Sequence, residues 1–194
     1  GPRRYALGSR TVSDHDTSLG GFLAVVETGS NQQFIFSANK LRQIVGASQL
    51  IHEMSANHSE GAIVAAAGKV IRCFETFDEA RALVGMVTDW ALREAPGLDV
   101  CGVVEEVGAD GFRAALDRAA QRLPLVRVQR PGPEARFARL PILADCATSG
   151  LPASAIRDDD DEFIDISSVA LAKRESAKRG FERIKKQLKP SQPA

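Results

Sequence analysis

The sequence predicts an α+β fold with one antiparallel sheet. Three observations lead to this prediction. Four short apolar runs have the lengths and turn boundaries of strands, and two amphipathic segments with helical spacing lie between them. Two of the four runs are joined by a short connection, as in a hairpin. The order through residue 107 is therefore β-α-β-β-α-β.

The first strand and helix are predicted at the start of this unit. The run 21–27 is continuously apolar and ends at Thr28 and Gly29, which favours a strand buried on both faces. From Gln32 to about Asn57, apolar residues recur every three or four positions, so a single helix is predicted there, capped by Ser30 or Asn31. The small residues 46–48 are expected to let the sheet approach this helix closely.

The second half of the unit repeats the strand and helix signals. Apolar runs at 62–66 and 70–74 flank the connection Ala67-Gly68-Lys69 and predict a hairpin. Thr76 and Glu79 form a capping box for a second helix, which Pro96 and Gly97 end. A strand at 98–107 and a helix at 111–123 follow. The order is that of a ferredoxin-like fold, with an antiparallel sheet and helices on one face.

Three segments are predicted outside this unit. Residues 1–20 are polar and are expected to form a flexible lead-in. Residues 124–133 are expected to be an extended edge. A C-terminal extension, 124–194, is expected to carry an acidic run at 158–162 and a last helix from about Ser167 to Leu188. The domain itself is expected at 21–123.

Composition excludes several classes of protein. The 194 residues carry 25 Lys and Arg against 25 Asp and Glu, so a globally basic nucleic-acid coat is excluded, although a local basic patch is not. The three cysteines form no C-x-x-C pair and have no histidine at zinc-site spacing, so no metal centre is predicted and a reducing cytoplasm is the expected compartment. The chain opens Gly1-Pro2 without Met, which we interpret as part of a longer protein.

One stretch carries a family resemblance. Residues 33–48 read QFIFSANKLRQIVGAS and are similar to a helix of the Cas10/Cmr2-type palm domains of type III CRISPR systems and of minimal CRISPR-polymerase relatives. The hairpin at 62–74 and the segment 148–153 resemble the same group more weakly. The resemblance implies a palm fold, a role in prokaryotic antiviral defence and, in active members, two metal ions that clamp a nucleoside triphosphate.

The chain departs from that family at the metal ligands. Active members have Gly-Gly-Asp-Asp at the hairpin turn, where this chain has Ala66-Ala67-Gly68-Lys69. A lysine in that position repels a divalent cation. The remaining carboxylate near the implied site is that of Glu27, and one carboxylate does not hold a magnesium pair. The sequence therefore predicts an inactive, nucleotidyltransferase-like pseudoenzyme with no catalytic residues.

A nucleotide-binding site is the leading functional hypothesis. Lys69 is expected within reach of Glu27 or of a bound phosphate, and the start of the predicted helix offers free amides to an anion. ATP or GTP is the expected ligand. The alternative for Lys69 is a solvated turn residue, and the alternative for the helix start is an ordinary cap. The candidate residues are Glu27, Gly29, Ser30, Asn31, Gly68 and Lys69.

Two other functions stay open. One is an active cyclic oligonucleotide synthase, in which Mg²⁺ is held by Glu27 together with acids from another chain or domain. The other is a protein-interaction domain without nucleotide. In each case the expected partners are other domains or subunits of a defence complex, and no membrane is expected.

The C-terminal segment separates its charges. Residues 158–165 hold six acids and no base, whereas 173–189 hold eight bases and two acids. Acids before a helix and bases towards its end complement the helix dipole. The alternative is contact with RNA, DNA or an acidic partner through the basic helix.

Overall fold

The computed structural model describes residues 21–159 and 162–188. The predicted lead-in, two aspartates of the acidic run (160 and 161) and the last six residues lie outside these ranges. The main sheet has the strand order β2-β3-β1-β4, with every neighbouring pair antiparallel. Its strands are β1 (Gly21–Gly29), β2 (Val64–Ala66), β3 (Lys69–Phe74) and β4 (Asp99–Val107). The α+β, ferredoxin-like prediction is confirmed.

Helices cover the sheet on both faces. Two of them, α2 (Leu41–Ala56) and α3 (Phe77–Glu94), share one face, as predicted, and pack there against Ala24 and Val26 of β1. The helix α4 (Gly111–Val128) covers the opposite face and packs against Leu23 and Val25. Burial on both faces is the physical reason for the unbroken apolar run in β1. The described residues contain no helix that is long and apolar enough to cross a membrane.

The predicted single helix from Gln32 to Asn57 is wrong. The structure has a short helix α1 (Asn31–Phe36), a break, and then α2. At the break, the buried Lys173 donates hydrogen bonds to the carbonyl oxygen of Phe34 and to Ser37 Oγ. These bonds satisfy groups at the end of α1 and bring a cation to the carbonyl end of the helix, which favours termination there.

Gly46 of α2 faces a different partner from the one predicted. A Cβ on Gly46 would overlap the carbonyl oxygen of Lys173, which lies in the helix α5 (Ser168–Gln187). Ser176 of α5 donates a hydrogen bond to the carbonyl of Gly46 over 3.0 Å. The glycine therefore admits a helix backbone rather than the sheet.

The prediction of an extended edge at 124–133 is also wrong in its first half. Helix α4 continues through Pro124 to Val128, and a 3₁₀ turn occupies Pro133–Arg136. Pro124 is exposed, so water can solvate the carbonyl that loses its hydrogen bond. Beyond Pro124, Val126 packs against the core between the sheet and α4. Tertiary packing thus outweighs the local signal of the proline.

The C-terminal segment contains a hairpin that the sequence did not indicate. Strands β5 (Ala155–Asp159) and β6 (Glu162–Ile166) pair antiparallel in a separate two-stranded sheet. Helix α5 begins and ends within one residue of its predicted bounds, and Ser167 caps it by accepting a hydrogen bond from the amide of Ala170. The capping box of Thr76 and Glu79 in α3 is confirmed.

Candidate functional site

The C-terminal end of β1 carries the predicted ion pair. Glu27 lies opposite Lys69 in the pairing of β1 with β3, and Lys69 Nζ is 3.0 Å from Glu27 Oε2. The side chains are 23% exposed for Glu27 and 45% for Lys69. A pair this open to solvent contributes at most about 1 kcal/mol to stability. The expectation that Lys69 reaches Glu27 is confirmed, and the pair leaves both groups within reach of a ligand.

A second carboxylate, Asp99, lies beside Glu27. Arg127 of α4 bridges them, because its Nη2 is 3.5 Å from Glu27 Oε1 and its Nε is 2.8 Å from Asp99 Oδ2. Arg130 places Nη2 3.3 Å from Asp99 Oδ1 and donates to the carbonyl of Val100 over 2.7 Å. We refer to Glu27, Lys69, Asp99, Arg127 and Arg130 as the charge cluster.

The sequence alone predicts only two members of the charge cluster, Glu27 and Lys69. The expectation that Glu27 is the one carboxylate near the site is wrong, because Asp99 lies there as well. The position of Asp99 follows from topology, since the antiparallel pairing of β1 with β4 puts it opposite Gly29. Arg127 escapes prediction because an extended segment is expected at 124–133, whereas the continued helix turns its side chain towards β1.

The charge cluster has more cations than anions. Two carboxylates face three cationic side chains, so both acids are already engaged by fixed positive charge. Within the described ranges, no group of three or more His, Cys, Asp or Glu is arranged to hold a metal ion. Such a cluster suits an anionic ligand that competes with the carboxylates for the cations.

The hairpin turn is held against β1. Ala67 and Gly68 both have positive φ, of 52° and 77°, as a two-residue type I′ turn requires. The carbonyl of Gly68 accepts hydrogen bonds from the amide of Thr28, at 2.8 Å, and from Thr28 Oγ1, at 3.2 Å. A Cβ at Gly68 would overlap Thr28 Oγ1, so this close approach needs glycine. The turn thereby fixes where Lys69 begins β3.

A cavity of about 320 Å³ opens beside Asp99. Its walls include Gly29 and Ser30 from the predicted site, and its apolar surface comes from Phe34, Phe137, Leu151 and Val169. Polar groups at the cavity are supplied by Gln33, Ser37, Glu134 and Ser149. An apolar pocket with a few polar groups is the usual environment for a small-molecule ligand.

The helix start beside this cavity is weaker than predicted. Helix α1 has six residues, so little of the dipole expected from the longer predicted helix remains at its N-terminus. Ser30 has a left-handed backbone, with φ of 49°, and its side chain makes no capping hydrogen bond. Asn31 Oδ1 is buried without a hydrogen-bond partner among the described residues. Of the predicted residues, then, Glu27, Gly68 and Lys69 are tied by contacts, and Gly29 and Ser30 line the cavity.

The segment 146–151 links the cavity to α5. Ser149 Oγ is 3.0 Å from Ser167 Oγ, and Thr148 Oγ1 is hydrogen-bonded to the side chain of Gln43. Burial raises the pKa of Cys146, but hydrogen bonds from Ser149, Thr148 and backbone amides outweigh burial and bring that pKa to about 6. Burial raises the pKa values of Cys73 and Cys101, so Cys146 differs from both in having a pKa below the ordinary cysteine value.

Comparisons with known proteins add one partial likeness. No family model matches the chain, and no curated protein matches it. A solved structure described as the apo Csm1-Csm4 cassette is similar over 62% of this chain, with 16% identity and a TM-score of 0.47. The likeness covers 20% of that chain's length.

Proposed function

We propose that this chain is a palm-like domain that binds the phosphates of a nucleoside triphosphate without metal catalysis. The observation that carries the proposal is the charge cluster. Lys69 and Arg127 contact Glu27 at the end of β1, and Arg127 and Arg130 contact Asp99 at the start of the neighbouring strand β4. Glu27 and Asp99 offset only part of this positive charge. A polyphosphate carries more charge than either carboxylate and forms charge-assisted hydrogen bonds with lysine and arginine.

The adjoining cavity favours a nucleotide over free phosphate as the ligand. Asp99 belongs both to the charge cluster and to the wall of the 320 Å³ cavity, so one ligand can reach both. A volume near 300 Å³ is at the lower end of small-molecule sites and admits a nucleobase. The aromatic rings of Phe34 and Phe137 offer surfaces for the base, and Gln33 and Glu134 offer hydrogen bonds to its edge.

The biological setting is proposed on the sequence resemblance. Residues 33–48 are similar to the palm domains of type III CRISPR systems, which supports a role in prokaryotic antiviral defence. A domain with fixed cations in place of metal ligands suits sensing or scaffolding within a multi-subunit complex. The expected partners are other domains or subunits of such a complex.

Calorimetry with ATP and with GTP in the presence of EDTA tests the binding. We expect a submillimolar dissociation constant that increases at least tenfold in Lys69→Ala and in Arg127→Ala. Arg81→Ala is the matched control, because Arg81 is an exposed base of α3 outside the charge cluster. Absence of ATP and GTP binding at millimolar concentration would contradict the proposal and leave the protein-interaction domain as the better hypothesis.

The rival is a cyclic oligonucleotide synthase, and one observation favours it. Asp99 gives the site a second carboxylate beside Glu27, although both are paired with cations. We expect no nucleotide product from this chain with ATP, GTP and Mg²⁺ or Mn²⁺. A product detected by chromatography and lost in both Glu27→Gln and Asp99→Asn would establish the synthase instead. Product formed only with a partner protein would indicate a composite site.

A further inference from the structure

A basic groove lies away from the charge cluster, between α5, the start of α2 and β5. Its volume is about 690 Å³. Five cationic residues and two acids line it, a net charge of +3. The cations are Arg42, Arg157, Arg174, Lys178 and Lys185, and the acids are Glu175 and Glu182. We call this surface the basic groove.

The basic groove uses the face of α5 that does not pack against α2. Ser176 and Gly180 contact α2 on one side of the helix. Arg174, Lys178 and Lys185 follow at intervals of four and seven residues, so they form one stripe, with a rise of about 6 Å and then about 10 Å along the axis. Phe181 lies between the last two cations and is 37% exposed. An aromatic ring is thus interleaved with the cations.

Arg174 donates a hydrogen bond to the carbonyl of Asp158 in β5, but three other cations of the basic groove form no ion pair with a described residue. Among the described residues, Arg42, Lys178 and Lys185 form no ion pair, whereas Arg179 on the adjoining face of α5 binds both oxygens of Glu53 at 2.7 and 3.0 Å. Complementing the helix dipole explains bases near the end of α5, but Arg42 and Arg157 come from other elements. Their convergence on one groove therefore needs another explanation.

We propose that the basic groove binds a single strand of nucleic acid. Lysine and arginine contact successive phosphates, and the ring of Phe181 stacks on a base. Alternating cations and an exposed aromatic ring are the usual features of surfaces that bind single strands without sequence preference. An acidic peptide would pair with the cations but would leave the ring of Phe181 unused. Glu175 and Glu182 repel an acidic peptide and a phosphate chain equally, so the ring is the feature that favours nucleic acid.

Fluorescence anisotropy with labelled oligo(U) and oligo(dT), each of about 20 nucleotides, tests the proposal. One phosphate contact for each of the five cations predicts that log K falls with log salt concentration with a slope of about −3.5. The double variant Lys178→Glu/Lys185→Glu should weaken binding at least thirtyfold and reduce that slope by about 1.4, since two contacts are removed. Phe181→Ala should weaken binding about tenfold, whereas Phe181→Tyr should not.

Matched controls distinguish binding in the basic groove from nonspecific attraction by the net charge of the protein. The double variant Arg81→Glu/Arg113→Glu changes the net charge by the same amount at exposed positions of α3 and α4, and it should bind within twofold of wild type. Lys178 and Lys185 are exposed, so circular dichroism should show unchanged folding in their variants. An equal loss in the control variant, no binding by wild type at low salt, or equal competition by polyglutamate would overturn the proposal.

Discussion

Lys173 places an ammonium group in the core, and no carboxylate among the described residues pairs with it. Its side chain is 1% exposed, and its Nζ lies 4.3 Å from the ring centre of Phe34 and 2.8 Å from Ser37 Oγ. Burial lowers the pKa of Lys173 to about 8, because the charged form loses its hydration. The group is therefore close to neutral in mildly alkaline solution while it stays charged in the unfolded chain.

The lowered pKa of Lys173 predicts how stability depends on pH. Between about pH 8 and the ordinary lysine value of 10.5, the unfolded chain binds a proton that the folded chain has released. The free energy of unfolding should therefore rise with pH across this window, by up to about 3 kcal/mol for the group. Denaturation of wild type and Lys173→Met at about pH 7.5 and about pH 9.5 measures the difference. An equal pH dependence in both proteins would contradict the prediction.

Residue pairs differ in how far the sequence can predict them. The contact of Lys69 with Glu27 follows from strand register, so a hairpin prediction is sufficient to find it. In the sequence, Lys173 looks like any other base of a charged helix. A helical pattern does not show that the side chain of a lysine enters the core. The position of Arg127 can be predicted only if α4 is known to continue to Val128, and Pro124 makes the sequence favour an earlier end of that helix.

Helices α2 and α5 approach each other closely, and glycine makes this possible. A Cβ at Gly46 would overlap the Lys173 carbonyl, and one at Gly180 would lie 2.7 Å from Val45 Cγ1. Both glycines are buried, and both sit where the two helix backbones meet. Small residues in a helix indicate a close neighbour in the fold, but they do not say whether that neighbour is a sheet or a helix.

Alanine at Gly46 should therefore be strongly destabilising. The added methyl group must push α5 away and disturb the hydrogen bonds of Lys173, so we expect a loss of about 3 kcal/mol or more in the free energy of unfolding. Gly85→Ala is the control, because Gly85 lies in α3 and a methyl group added there would meet no atom within 4 Å. That variant should gain about 0.5–1 kcal/mol from helix propensity. Urea denaturation of both variants measures the contrast, and similar midpoints would contradict it.

At the scale of the whole molecule, arginines close one edge of the sheet. Strand β4 pairs with β1 on one side, and its carbonyl oxygens on the other side accept from Arg130 at Val100, Arg122 at Val104 and Arg118 at Glu106. These donors occupy groups that would otherwise pair with another strand. Helix α4 therefore covers a sheet face, protects an edge and supplies Arg127 to the charge cluster, three roles that depend on its full length.

The order of β1 to β4 is predictable because each strand has a local signal in the sequence. The packing of the C-terminal segment against the domain has no such signal and is not predictable. A boundary at 123/124 stays a prediction, but the contacts of α5 give reason to expect that the extension cannot be removed. Val169 belongs to the main core, Lys173 fixes the end of α1, and Ser149 and Leu151 wall the cavity. Each of these contacts crosses the predicted boundary, so no local pattern in the sequence reveals it.

A chain that ends at Gln129 should lose cooperative folding. Without α5, the α2 face around Val45 and Gly46 meets water, and each apolar side chain that α5 covers loses up to about 1.5–3 kcal/mol of burial. Summed over these side chains, the loss equals much of the roughly 5–15 kcal/mol that ordinarily stabilises a domain. Thermal unfolding followed by circular dichroism should show no sigmoidal transition, whereas a chain that ends at Leu188, which keeps every described element, should match wild type. A cooperative transition within a few degrees of wild type in the shorter chain would show instead that residues 21–129 fold independently.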